Sequence, residues 1–196
     1  MPAAKVLLIA CGALAHEIVQ LKRLNDWQHL DLQCLPAELH NRPERIAPAV
    51  EAKIRENLNN YQHFLIGYGD CGTGGGLDRV AEKYGAQRIP GAHCYEFFAG
   101  SEVFEGLVEK ELGSLYLTDY LARNFMRLIV AGMGIDRHPE LKQVLFGNYR
   151  KVVYLAQSEK GEQAQSARDA AEFLGLAFEQ VNTGLGPFES SLREMN

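Results

Sequence analysis

The chain has no lysine- or arginine-dense stretch, and its formal net charge is -5. It therefore offers no electrostatic footprint for a phosphate backbone, so nucleic acid and anionic membrane surfaces are not expected partners. Long apolar runs are also missing. Val6 to Cys11, six apolar or small residues before Gly12, is too short to span a bilayer. No cleavage-site pattern follows Met1-Pro2-Ala3-Ala4-Lys5, which makes the expected location cytoplasmic, away from membranes. None of the four cysteines forms a Cys-x-x-Cys pair, so neither a zinc ribbon nor a redox motif is indicated. In a reducing compartment such cysteines are free thiols, metal ligands or nucleophiles rather than disulfides. There is no Gly-x-Ser-x-Gly elbow, since Ser101 follows a glycine but no second glycine completes the pattern, and no Gly-Lys-Ser/Thr phosphate loop. The cobalamin signature Asp-x-His-x-x-Gly is absent, as are Pro/Gly/Ser linkers, repeats and low-complexity tracts.

What is present is an alternation. The 196 residues, 46% of them hydrophobic, are enough for one substantial core, and a single domain over residues 1–196 is expected. Short apolar runs alternate with amphipathic stretches of helical length, the pattern of βαβ units. The expected class is α/β, a single domain with a mainly parallel, Rossmann-like sheet flanked by helices. Strands are predicted near Lys5–Ala10, Leu30–Leu35, His63–Tyr68, Ala86–Pro90, Ser114–Leu117, Lys151–Ala156 and Ala177–Val181. Helices are predicted near Ala13–Leu24, Arg45–Asn59, Leu77–Tyr84, Ser101–Leu112, Asp119–Ala131, Glu140–Gly147 and Gly161–Leu174. Thr118-Asp119 reads as a helix start, Gly113 and Gly175 as helix stops.

Chemistry concentrates at the strand exits. Cys71 sits in Gly67-Tyr68-Gly69-Asp70-Cys71-Gly72-Thr73-Gly74-Gly75-Gly76, directly after an apolar run. Glycine permits φ > 0 and close backbone approach, at an entropic cost that an ordinary connection avoids. Cys11 ends the first apolar run, and Cys94 follows Arg88-Ile89-Pro90-Gly91-Ala92-His93. His40 lies in the polar, proline-bounded loop Leu35 to Pro43, at another strand exit. In a parallel sheet these exits share an edge, so Cys11, His40, Cys71, His93, Cys94 and Glu96 can converge. Thiolate and imidazole suit zinc, and iron or an iron–sulfur cluster less closely, which makes Cys11, His40, Cys71, His93 and Cys94 the candidate ligands of a divalent metal. Cys71, His93 and Glu96 are the candidate catalytic groups. Cys71 before a helix start also fits a metal-free thiolate nucleophile with His93 or His40 as base, in a transferase or hydrolase.

Plainer readings stand beside these. Cys11 also fits a buried strand-end residue, and Cys34 reads as strand core. His16 and Glu17 fit ordinary helix positions, Glu17 favoured by the helix dipole. Gly69, Gly72, Gly74 and Gly75 are candidate cofactor- or anion-binding positions because the loop opens a helix, whose free N–H groups attract carboxylates and phosphates. Gly67-x-Gly69-x-x-Gly72 fits the dinucleotide fingerprint only formally, its first glycine lying at the strand end.

Ala10-Cys11-Gly12-Ala13-Leu14, Leu39-His40-Asn41-Arg42-Pro43, Tyr68-Gly69-Asp70-Cys71-Gly72, His93-Cys94-Tyr95-Glu96 and Leu117-Thr118-Asp119 together resemble the bacterial and archaeal family known as domain of unknown function 1638. Cys34 has no counterpart in that motif pattern. Members of the family are often encoded near corrinoid-dependent methyltransferases and their activating proteins. The resemblance thus implies a role in one-carbon or methyl-transfer metabolism, with a small-molecule substrate or methyl donor and a corrinoid methyltransferase as partner. The expected function is a metal-binding protein using a Cys/His centre, as a metal-dependent transferase. A protein that holds a corrinoid for a methyltransferase, without catalysis of its own, is the alternative from a different class.

Overall fold

The computed structural model describes residues 5–158 and 161–195. The apolar run Val6–Cys11 becomes strand β1, buried at every position. That continuous burial is what a strand covered on both faces requires, and it explains why the run shows no polar alternation. On one side β1 pairs with β2 (Leu30–Leu35), on the other with β3 (His63–Gly67), and β3 pairs with β4 (Gln87–Arg88). All three pairings are parallel, with Cys11 opposite Leu35, Ala10 opposite Gly67 and Ile66 opposite Arg88. The strands consequently end together at one edge. A side chain at Gly67 would place its Cβ 2.8 Å from the Ala10 Cβ, which glycine avoids.

Helices α1 (Ala15–Leu24), α2 (Ile46–Asn57) and α3 (Gly76–Tyr84) make the crossovers. They bury Ile18 and Leu21, Ile46, Val50 and Ile54, and Leu77 and Val80, at the three- and four-residue spacing of a helix face. Short 3-10 turns, Gly12–Leu14, Ala37–Asn41 and Pro43–Arg45, lead from the strand ends into these helices. This first unit comprises Met1–Cys94 and Glu189–Asn196. Within it Arg193 hydrogen-bonds Asn25 and lies 5.8 Å from the centre of the Trp27 ring.

The second unit, Tyr95–Phe188, has its own parallel sheet in the order β5 (Ser114–Leu117), β6 (Lys151–Ala156), β7 (Ala177–Asn182). Residues of β6 alternate between two cores. Val152, Tyr154 and Ala156 pack with Leu117, Leu121, Phe125 and Ala171, while Val153 and Leu155 pack with Phe104 and Tyr116. Its helices are α4 (Tyr95–Ala99), α5 (Ser101–Lys110), α6 (Asp119–Arg123), a π-helical segment Met126–Ala131, α7 (Leu141–Phe146) and α8 (Ala164–Leu174). A last helix, α9 (Gly186–Met195), begins here with Phe188 stacked 5.8 Å from Phe97.

The protein is α/β with parallel sheets flanked by helices. Among the described residues, seven strands divide between a four-stranded and a three-stranded sheet. The strand expected at Ala86–Pro90 shrinks to Gln87–Arg88, followed by Pro90, which has no N–H for a ladder. The helix expected at Asp119–Ala131 is interrupted, since α6 stops at Arg123 and the chain resumes as the π-helical turn. Among the described residues no helix is long and apolar enough to cross a membrane.

Candidate functional site

The shared edge of the first sheet collects the expected thiols. Cys11 is the last residue of β1, the His40 turn follows β2, Cys71 lies four residues beyond the end of β3, and His93-Cys94 follow β4. The segments after β3 and β4 continue side by side beyond the strands themselves. Ile89 N–H donates to the Ile66 carbonyl at 3.1 Å, Asp70 N–H to Gly91 at 3.0 Å and Cys71 N–H to Ala92 at 2.8 Å. Gly69 makes the approach possible: a Cβ there would lie 2.9 Å from the His93 carbonyl carbon and 3.1 Å from its Cα and N. The Arg88 guanidinium fastens the same corner, donating to the Ile89 carbonyl at 2.7 Å and to the Tyr68 and Gly91 carbonyls at 3.4 Å, and pairing with Asp78 at 2.7 Å. These contacts bring Cys71 Sγ to 3.1 Å from Cys94 Sγ.

Cys71 has φ of 48°, in the left-handed region that non-glycine residues rarely occupy. The turn around it is organised by Asp70. Its carboxylate accepts from the Thr73 hydroxyl at 2.7 Å, Gly75 N–H at 2.8 Å and Gly74 N–H at 3.1 Å. Those hydrogen bonds, Gly75 first, hold the Asp70 carboxyl below the usual carboxylate range. The Gly74 and Gly75 amides, expected to face a phosphate or cofactor, are thus engaged by a carboxylate of the same loop. Gly72, at φ of 81°, takes the left-handed conformation that favours glycine, beside Pro43 of the His40-bearing segment.

The paired thiols are electrostatically unequal. The hydrogen bond from Cys94 pulls the Cys71 thiol below its ordinary value, against the opposing effect of burial, and backbone N–H groups of Cys94 and Gly69 add to the lowering. Cys94 moves the opposite way, raised by its bond to Cys71 and by burial. Of the two, Cys71 is the thiol that ionises more readily. Burial pushes Cys11 up to about 11, with Cys71 adding to the shift. The Tyr68 hydroxyl is buried without a well-formed hydrogen bond, and it is pushed up by burial and by Cys11, Cys94 and Cys71. His40 keeps part of its surface open to solvent, yet the packing around its ring lowers its pKa, with His93 adding a smaller effect. His40 is therefore mainly neutral at pH 7 and able to accept a proton.

Cys11, His40, Cys71, His93 and Cys94 lie at this edge of the first unit, and Glu96 follows two residues on in the first turn of α4, where the second unit begins. Among the described residues no three His, Cys, Asp or Glu side chains form a group that could hold a metal ion. Cys34, expected in the strand core, is exposed. The reason is position, because β2 is the edge strand of its sheet and only Leu30 and Leu35 of it are buried. On α1, His16 is exposed and Glu17 buried. Sequence reasoning missed Arg88 and the inward role of Asp70; the hint for Asp70 was an acidic residue ahead of Thr-Gly-Gly, the composition of an Asx-type turn.

Fold and site together define a parallel α/β protein with a thiol pair at the carboxyl edge of its first sheet. The sequence profile of the family described as protein of unknown function (DUF1638) matches residues 34–192, and the chain belongs to that family. The Ala10 to Leu14 motif lies upstream of the matched segment. No curated protein and no solved structure matches the chain.

Proposed function

We propose that the chain is a thiolate-dependent enzyme in which Cys71 is the nucleophile of a group transfer from a small electrophile. The observation that carries this reading is the 3.1 Å contact between Cys71 and Cys94, with the negative charge drawn to Cys71. An ordinary cysteine is only a few per cent thiolate at neutral pH, and lowering its pKa raises the reactive population. Cys71 attacks the electrophilic carbon of an acyl or activated methyl group, forming a carbon–sulfur bond as the leaving group departs with the bonding pair. A second nucleophile then takes the group and releases the thiolate. His40, mainly neutral at pH 7, accepts the proton of that nucleophile. Cys94 and the backbone N–H groups of Cys94 and Gly69 hold the anion between turnovers, and Arg88 and Asp70 hold the loops.

A second reading has its own observation. Cys11 lies within electrostatic reach of both Cys71 and Cys94, so three thiols stand at one edge, and a thiophilic ion would use them if Cys11 moved within bonding distance. One experiment separates the two. Elemental analysis is run on the purified protein, and iodoacetamide labelling with peptide mapping is followed across pH, before and after chelation. The nucleophile reading expects Cys71 to be labelled first, with a rate persisting to lower pH than that of Cys34, irrespective of chelator. Identical profiles for Cys71 and Cys34 would overturn it. Near-stoichiometric zinc or iron that protects Cys71 until the chelator is added would favour the metal reading.

A further inference from the structure

Cys94 does more than donate a hydrogen bond. We propose that Cys71 and Cys94 form a reversible disulfide that takes a hydroperoxide as oxidant, switching the site off and protecting Cys71 from irreversible oxidation. The sulfurs are 3.1 Å apart. A disulfide bond is about 2.05 Å long, so closure requires them to approach by only about 1 Å. Cys71 and Cys94 are both partly exposed residues, so the pair lies close to a surface that a small peroxide reaches. The segments that carry them are already tied by Asp70 N–H to Gly91 and Cys71 N–H to Ala92, so little chain entropy remains to be lost. Of the other cysteines, Cys11 is buried at the end of β1 and Cys34 is exposed on the edge strand β2.

The chemistry balances in two steps. The Cys71 thiolate attacks one peroxide oxygen, the O–O bond breaks, and the departing oxygen takes a proton and leaves as water, or as an alcohol from an organic hydroperoxide. Cys71 is oxidised by two electrons to the sulfenic acid and the peroxide is reduced. Cys94 then loses its proton and attacks the Cys71 sulfur. The S–O bond breaks, and the hydroxide leaves with that proton as a second water. Two electrons from a dithiol reverse the bond.

The inference rests on the reading of Cys71 as the thiolate, and the test keeps the two separable. Reduced wild-type protein is treated with hydrogen peroxide and analysed by intact mass and peptide mapping, alongside Cys94→Ser. Wild type is expected to lose two hydrogens and give a cross-linked peptide joining Cys71 to Cys94, released by dithiothreitol. Cys94→Ser is expected to gain oxygen at Cys71, first as a dimedone-trappable sulfenic acid and then as sulfinic acid. Wild-type over-oxidation of Cys71 without a cross-link, or a cross-link to Cys11 or Cys34, would overturn the proposal. Alkylation of the reduced protein reads the nucleophile on its own. Fast Cys71 labelling without a cross-link removes the disulfide and leaves the nucleophile, whereas a cross-link with ordinary Cys71 labelling supports the disulfide and removes the nucleophile.

Discussion

Adding a single methyl group at Gly69 should separate the thiol pair without touching either cysteine. Gly69 is not among the positive-φ glycines, so alanine meets no backbone penalty there and the effect is steric. The new Cβ would stand 2.9–3.1 Å from three backbone atoms of His93, which unlike a flexible side-chain tip cannot swing aside. Carbon contacts settle at about 3.5–4.0 Å, so the segments after β3 and β4 must part by about 0.5–1 Å. Overpacking of this kind costs about 1–3 kcal/mol, so Gly69→Ala should lower the melting temperature and remain folded. The 3.1 Å sulfur contact stretches by a similar amount, weakening the Cys94 hydrogen bond that is the largest cause of the lowered Cys71 pKa. A hydrogen bond to a charged acceptor contributes about 1.5–3 kcal/mol, so its loss should cut the thiolate population at neutral pH about tenfold or more. The assay is the pH profile of iodoacetamide alkylation at Cys71, read by peptide mapping, with circular dichroism and a thermal melt as the folding control. A folded Gly69→Ala protein with the wild-type Cys71 profile would refute the claim that loop contact sets the thiol chemistry.

Two further expectations concern stability. Cys11 titrates at about 11 in the folded chain against 9.0 ordinarily, so below pH 9 it leaves stability unchanged, and as pH rises from 9 to 11 the unfolded state gains by ionising first. Stability should fall across that alkaline window, by about 2–3 kcal/mol from Cys11 alone, and urea melts should show a shallower fall in Cys11→Ala; an unchanged slope would contradict the burial account. In the second unit, the buried Asp119 carboxylate accepts from the Tyr154 hydroxyl at 2.6 Å, Ser158 N–H at 3.1 Å and Gln157 N–H at 3.2 Å. Asp119→Asn turns an amide NH2 toward donors and should destabilise by about 2–4 kcal/mol, measured by thermal melting; a near-neutral effect would show that these bonds exchange freely with water.

The sequence disclosed the edge more fully than the neighbours that tune it. A thiol directly after an apolar run carries its own address, because parallel strands end together, and this reasoning put Cys11, Cys71 and Cys94 on one side of the sheet. The same reasoning misplaced Cys34, since alternation within Leu30–Leu35 looks alike in a central and an edge strand and only the pairing order distinguishes them. Glycine density at Gly72 to Gly76 suggested a free anion cradle, whereas Asp70 fills it, a local hydrogen-bond competition that composition does not reveal. Arg88 carried no signal at all. Its role depends on three carbonyls gathered from two strand exits, which exist as a set only after the chain has folded.

The close docking of Gly69 on His93 also makes the site a sensor of its own folding. In the unfolded chain Cys71 and Cys94, 23 residues apart, are ordinary thiols that meet rarely and react slowly. Their unequal acidity arises when the two loops lock, late relative to the local helices, because parallel strand pairing must first close long stretches of chain. On the proposed reading, Cys71 reacts as an ordinary cysteine during synthesis and gains its lowered pKa only with the native sheet. A fast-labelling Cys71 would consequently report the fraction of correctly folded molecules in any preparation, with no substrate needed.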